Sequence, residues 1–116
     1  MAHDLDTLLA EVLTHFERPM HVYISWADPH EVRVDSQECW AASWAHESGR
    51  FIVIANTCCN APRYVVKYLI FHEYLHFEHP PRKTKAGYAK HHRAFRVAER
   101  IWSDYLRAEA WLAKHA

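Results

Sequence analysis

One short run of residues has the composition and spacing of a metal clamp. His72 and His76 stand four residues apart in the run His72-Glu73-Tyr74-Leu75-His76. On a helix, side chains four residues apart project from one face, so both imidazoles can reach a single ion about 2 Å from each nitrogen. Glu73 lies one step around the helix from His72, where its carboxylate can contact a water beside the metal without displacing a ligand. Its position is that of a general base.

A purely structural explanation of the run would be two hydrogen-bonded histidines and a salt-bridged glutamate inside a protein core. The run lies on the most apolar helical segment of the chain, which contains Val65, Val66, Leu69, Ile70 and Phe71. Imidazoles and a carboxylate are costly to bury there without partners. A metal ion supplies such a partner, so the sequence favours a metal site.

A catalytic zinc ion usually has three protein ligands and one open position, so a third ligand must follow the clamp. The residues available downstream are His79, His91, His92 and Glu99. His79 follows His76 by only three residues and would crowd the open position. The longer HExxHxxGxxH pattern is excluded, because His79 and Arg82 stand where it requires glycine and histidine.

Helical periodicity separates the two adjacent histidines. His91 shares a stripe with Phe95 and Trp102, whereas His92 shares one with Arg96. The apolar stripe must face the core, and the core here is the helix that carries the clamp. We therefore expect His91 to point at the metal and His92 to point outward, with His92 as the alternative ligand.

The two histidine clusters resemble those of the small SprT-like and YgjP-like zinc peptidases, which carry HExxH followed by a third histidine four residues before a phenylalanine. His91 is the matching residue in the run His91-His92-Arg93-Ala94-Phe95, and the strand-like segment Phe51 to Asn56 precedes the clamp as it does in the family. The resemblance extends from about Met20 onward. It implies a minimal zincin-like fold and a zinc-dependent peptidase with His72, His76 and His91 as ligands and Glu73 as general base.

The chain departs from that family at two points. His92 stands where members often have glycine, which leaves the choice of third ligand open. The separate cysteine-based zinc ribbon of SprT-like proteins is absent, since Cys39, Cys58 and Cys59 do not have the spacing of such a clamp. This second departure weakens any inference of a DNA-associated role.

The remaining pattern predicts a single α+β domain over residues 1–116. We expect an N-terminal helix behind Asp4, a three- to four-stranded antiparallel sheet, a buried helix carrying HExxH and a C-terminal helix. The predicted segments are a helix from Leu5 to Phe16, a strand around Val22–Trp26, a hairpin of Trp40–Ala45 with Phe51–Ile54, a helix capped by Asn60 that ends near Glu78, a basic connection from Pro80 to Lys90 and a helix from about His91 to the end.

Peptide substrates of such enzymes commonly bind along a sheet edge. The strand around Trp40–His46 or the one around Phe51–Asn56 could supply that edge, and the sequence does not choose between them. Tyr88, in the connection before His91, is a candidate for stabilising the oxyanion, although a tyrosine in a loop is more often a packing residue.

Composition and charge restrict the other possible functions. The acidic N-terminal residues and the lack of an apolar run long enough to span a bilayer favour a cytoplasmic protein without membrane contact. Residues 1–60 carry nine acidic and three basic side chains, and the rest carries five and eleven. The basic excess lies in Arg82–Arg100, which suggests nucleic-acid contact or simply a solvated helix face. The alternative to an enzyme is a non-catalytic zinc protein that binds a partner or nucleic acid.

Overall fold

The computed structural model describes residues 3–116 and has an α+β architecture, as the sequence predicts. It contains four helices, one three-stranded sheet and two short two-stranded sheets. The helices are α1 (Leu5–Leu13), α2 (Arg63–Glu78), α3 (Arg93–Arg100) and α4 (Tyr105–His115); the strands are β1 (Tyr23–Ala27), β2 (Arg33–Val34), β3 (Gln37–Glu38), β4 (Ala41–His46), β5 (Gly49–Ala55), β6 (Arg82–Thr84) and β7 (Gly87–Ala89).

Helix α1 begins at the predicted cap. The carboxylate of Asp4 accepts hydrogen bonds from the amides of Asp6 and Thr7, which satisfies donors that have no partner within the helix. The apolar stripe of the helix is buried against the core, as its spacing requires; it consists of Leu5, Leu8, Leu9 and Val12. Helix α1 thereby covers one side of α2.

The main sheet has the strand order β1-β5-β4. Strands β4 and β5 form the predicted antiparallel hairpin, but β1 pairs with β5 in parallel, with Tyr23 opposite Phe51. The expectation of an antiparallel sheet throughout was therefore wrong for β1. Alternating apolar and polar residues look the same in either chain direction, so the pattern fixes the buried face of β1 and not its orientation.

Helix α2 is the central element of the fold. It packs against α1, α3, α4 and two strands of the main sheet, and its residues are buried on nearly every side. It ends at Glu78, just before Pro80-Pro81, as predicted. Its start differs from the prediction, because Pro62 occupies the N-cap position and Asn60 does not cap the helix.

The basic connection after α2 contains two strands that the sequence did not predict. Strands β6 and β7 form an antiparallel hairpin, with Thr84 opposite Gly87. Gly87 has φ +121°, a backbone conformation that suits glycine, and the Thr84 hydroxyl donates to the Gly87 carbonyl over 2.9 Å. The basic residues of this segment therefore project from a defined ribbon.

The predicted single C-terminal helix is two helices, so that expectation was wrong. Residues 101–104 interrupt it between α3 and α4. The break allows Trp102 to stack on Phe71 of α2, with ring centroids 4.2 Å apart, while Ala108 and Leu112 of α4 are also buried. None of the helices in residues 3–116 is long and apolar enough to cross a membrane.

Candidate metal centre

The structure brings His72, His76 and His91 together at one point. One ring nitrogen from each of the three lies within 4.8 Å of the others. The Nε2 atoms of His76 and His91 are 3.2 Å apart. Two nitrogens bound to one zinc ion at about 2.1 Å in tetrahedral geometry are about 3.4 Å apart. The distance between His76 and His91 is close to this value, and the cluster of three histidines could hold a metal ion.

Two elements supply this donor set. His72 and His76 lie one turn apart on α2, and their ring centroids are 5.1 Å apart. His91 lies just before α3, whose buried residue Phe95 packs against all three histidine rings. The apolar stripe of α3 therefore faces α2, as the sequence predicted, and His91 lies on the same side.

Glu99 orients the first of these histidines. Its carboxylate forms a hydrogen bond with Nδ1 of His72. Burial by itself would lower the pKa of His72, but this bond and the nearby carboxylate of Glu73 raise it. In the neutral tautomer that donates Nδ1–H to Glu99, the lone pair of His72 lies on Nε2. A carboxylate–histidine pair of this kind fixes the tautomer of a metal ligand.

The other two histidines favour the neutral form that can bind a metal. Burial, reinforced by the charge of His72, lowers the pKa of His76 to about 3. Burial and His72 also lower the pKa of His91. A neutral imidazole offers one lone pair to a cation, so this chemistry agrees with the short distance between their Nε2 atoms.

Glu73 lies beside the three histidines and is 7% exposed. Its Oε2 is 3.9 Å from Nε2 of His72, and the hydroxyl of Ser43 donates to its Oε1 over 2.8 Å. Burial raises the pKa of Glu73, while His72 and Ser43 act in the opposite direction. A raised pKa makes the carboxylate a stronger base than an ordinary glutamate.

A cleft of about 830 Å³ passes over this centre. Its lining includes Glu73, the three clustered histidines and residues of β4 such as Ala41, Ser43 and Ala45. In residues 3–116, β4 pairs only with β5, so it is an edge strand of the main sheet, whereas β5 is central. Of the two strands that the sequence left open, β4 is therefore the one with an unpaired edge.

The other sequence candidates lie outside the cluster. His92 caps α3, where its Nδ1 accepts from the amide of Phe95, and its Nε2 lies 3.0 Å from the Pro80 carbonyl oxygen. The ring of His79 lies 6.4 Å from that of His92. Tyr88 is 75% exposed and does not line the cleft.

Two contributors to the site were not identified from the sequence. Ser43 lies in β4, 30 residues before Glu73, and nothing in its local pattern marks it as a partner of that carboxylate. Lys90 lines the cleft, and its charge acts on both Glu73 and His76. Its position directly before His91 was the only available signal.

Comparisons of the chain with family models, with curated proteins and with solved structures give no match. The resemblance to the SprT-like and YgjP-like peptidases therefore rests on the two histidine clusters, and it stays a prediction.

Proposed function

We propose that this protein is a zinc-dependent metallopeptidase, with His72, His76 and His91 as zinc ligands and Glu73 as general base. The observation that carries the proposal is the position of the buried Glu73 carboxylate beside a three-histidine donor set, inside a cleft bordered by an edge strand. The resemblance of the two histidine clusters to SprT-like peptidases supports the same activity.

Zinc is the proposed ion because of the chemistry of the donors. Three neutral imidazoles with one open position are a common ligand set of catalytic zinc, whereas calcium and magnesium prefer oxygen ligands. No fourth His, Cys, Asp or Glu side chain joins the cluster in residues 3–116. This leaves room for a substrate, as a catalytic site requires.

Peptide-bond hydrolysis assigns a distinct task to each side chain. A bound zinc ion would polarise the scissile carbonyl and acidify a neighbouring water. Glu73 removes a proton from the attacking water as its oxygen bonds to the carbonyl carbon, and it delivers a proton to the nitrogen when the C–N bond breaks. The hydroxyl of Ser43 holds the carboxylate of Glu73 in the orientation for this transfer.

The substrate is proposed to bind as an extended strand along β4. Two observations support this: the outer edge of β4 pairs with no other strand in residues 3–116, and residues of β4 line the same cleft as the three histidines. A peptide added there would extend the sheet across the catalytic residues.

Replacement of Glu73 by Gln tests the proposal. We expect the variant to keep about one zinc ion per chain and to lose cleavage of a peptide library by a factor of at least about 100, since general acid–base catalysis contributes about 10²–10⁴. Glu17→Gln is the matched control, because Glu17 is exposed and outside the cleft. Zinc-loaded native protein that cleaves no more peptides than Glu73→Gln would favour the alternative, a non-catalytic zinc-binding protein.

A second candidate function is nucleic-acid binding through Arg82–Arg100. The hairpin presents Arg82, Lys83 and Lys85 as exposed side chains, and a shallow groove on α3 is lined by Arg93, Arg96 and Arg100. Such a surface suits phosphate contacts. Fluorescence anisotropy with an oligonucleotide should then show affinity that falls steeply as salt is raised; no binding at low salt would contradict this function.

A further inference from the structure

Helix α4 contributes an acidic side chain to the lining of the cleft. The lining includes Trp40 before β4, Tyr68 and Leu69 on α2, and Glu109 and Leu112 on α4. The hydroxyl of Tyr68 donates to Oε2 of Glu109 over 2.6 Å. The ring of Tyr68 also lies 6.2 Å from that of His72, measured between centroids. Tyr68 therefore contacts both the carboxylate of Glu109 and the proposed metal ligand His72.

Glu109 is exposed on α4, and its carboxylate accepts a hydrogen bond from Tyr68 but has no cationic partner in the described residues. Tyr68 is 1% exposed, and burial and the carboxylates of Glu109 and Glu99 raise its pKa, so the phenol remains a donor. Throughout residues 3–116, no Lys, Arg or His nitrogen forms a salt bridge with Glu109. Its charge is therefore available to a ligand in the cleft.

The proposed reaction does not use this carboxylate. Of the residues that line the cleft, Glu73 and Glu109 are the two that carry carboxylates, and Glu73 serves as the general base. The lining also includes the apolar or aromatic side chains of Trp40, Leu69 and Leu112. Apolar surface beside a carboxylate that has no salt-bridge partner suits a side chain with a hydrocarbon stem and a cationic tip.

We propose that Glu109 forms the end of a subsite for a Lys or Arg side chain adjacent to the scissile bond of a peptide substrate. The inference rests on the proposed peptidase function, which it extends from peptides in general to peptides with basic residues. The stem packs against Trp40, Leu69 and Leu112, and the ammonium or guanidinium group donates to the Glu109 carboxylate. A peptide with an uncharged side chain at this position leaves the Glu109 carboxylate without a partner, so the peptide binds less tightly.

Cleavage selectivity is the first test. Matched peptides that differ only in Lys, Leu or Glu at the residue flanking the cleavage site are incubated with zinc-loaded native protein, Glu109→Gln, Glu109→Lys and the control Glu17→Gln. We expect the ratio of kcat/KM for Lys over Leu to fall about tenfold in Glu109→Gln, Glu109→Lys to favour Glu over Lys, and Glu17→Gln to match the native protein. An unchanged ratio in both Glu109 variants would overturn the proposal.

Binding tests the subsite separately from the reaction. The zinc-loaded Glu73→Gln protein is titrated with the same peptides by fluorescence anisotropy, with and without Glu109→Gln as a second change, and thermal unfolding verifies that the variants are folded. We expect the Lys peptide to bind about tenfold more tightly than the Leu peptide, and this difference to disappear with Glu109→Gln. If the peptides bind with this preference but the native protein cleaves none of them, the peptidase function alone is contradicted. Equal affinity for Lys and Leu peptides would contradict the subsite.

Discussion

The carboxylate of Glu99 is hydrogen-bonded to Nδ1 of His72, across the interface between α3 and α2. Glu99 is one of the possible third ligands in the sequence, but this bond gives it the different task of orienting a proposed ligand. Helix α3 therefore positions His91, which precedes it, and also orients His72 through Glu99. The positions of both histidines depend on how α3 packs against α2. Metal affinity should therefore respond to substitution of Glu99 as well as to substitution of the three histidines.

Glu99→Gln should therefore weaken zinc binding without removing it. Loss of a carboxylate partner from a metal-binding histidine typically lowers affinity about 10–100-fold. Competition with a chromogenic chelator measures the affinity, and Glu17→Gln serves as the control for removing an exposed carboxylate. Unchanged affinity in Glu99→Gln would show that His72 needs no orientation by Glu99.

Ser43→Ala should lower kcat and leave KM and zinc content near their native values. The hydroxyl of Ser43 positions Glu73 but touches none of the three histidines through a hydrogen bond in the described chain. Loss of a hydrogen bond to a charged group corresponds to a decrease of about tenfold or more. Steady-state kinetics on a cleaved peptide gives both constants, with the exposed Ser103→Ala as control. A native kcat in Ser43→Ala would exclude this positioning role.

His92 should contribute to stability and not to metal binding, because both of its ring nitrogens are engaged at the start of α3. His92→Ala is expected to lower the free energy of unfolding by about 1 kcal/mol, the usual effect of losing an N-cap, and His92→Asn should recover part of it. Urea unfolding of the metal-free proteins measures the difference. Equal stability of the three proteins would contradict the capping role.

Glu11 gives a pH-dependent contribution to stability outside the site. Its carboxylate contacts Arg63 and Lys67, and the hydrogen bond from Arg63 lowers its pKa below the ordinary value. A lowered folded-state pKa adds stability above the unfolded-state pKa, and that stability is lost as the pH falls through the folded-state value. The native protein should therefore have a higher Tm than Glu11→Gln at neutral pH, and the difference should vanish in acid. A difference that is the same at both pH values would contradict the ion pair.

The elements that position the clamp could be predicted from local pattern. Helix α2 ends where Pro80-Pro81 requires, and the hairpin of β4 and β5 follows from alternation on both sides of Ser48-Gly49. Periodicity also distinguished His91 from His92, because Phe95 must be buried and His91 lies on the same stripe. These features depend on residues close together in the chain.

The features that the sequence did not predict depend on distant contacts. The parallel pairing of β1 with β5 is invisible in an alternating pattern, and the break between α3 and α4 serves the packing of Trp102 on Phe71. Likewise, Ser43 meets Glu73 only because β4 forms the edge of the sheet that faces α2. Tertiary contact, and not local propensity, decides such positions.

Zinc content per chain, measured by elemental analysis, tests the central claim most directly. Native protein, His72→Ala, His91→Ala and His92→Ala are purified side by side, incubated with zinc and freed of excess metal. About one zinc ion per chain is expected in the native protein and in His92→Ala, with loss from His72→Ala and His91→Ala. Native protein that retains no zinc, or His91→Ala that retains as much as native, would contradict the proposed three-histidine centre.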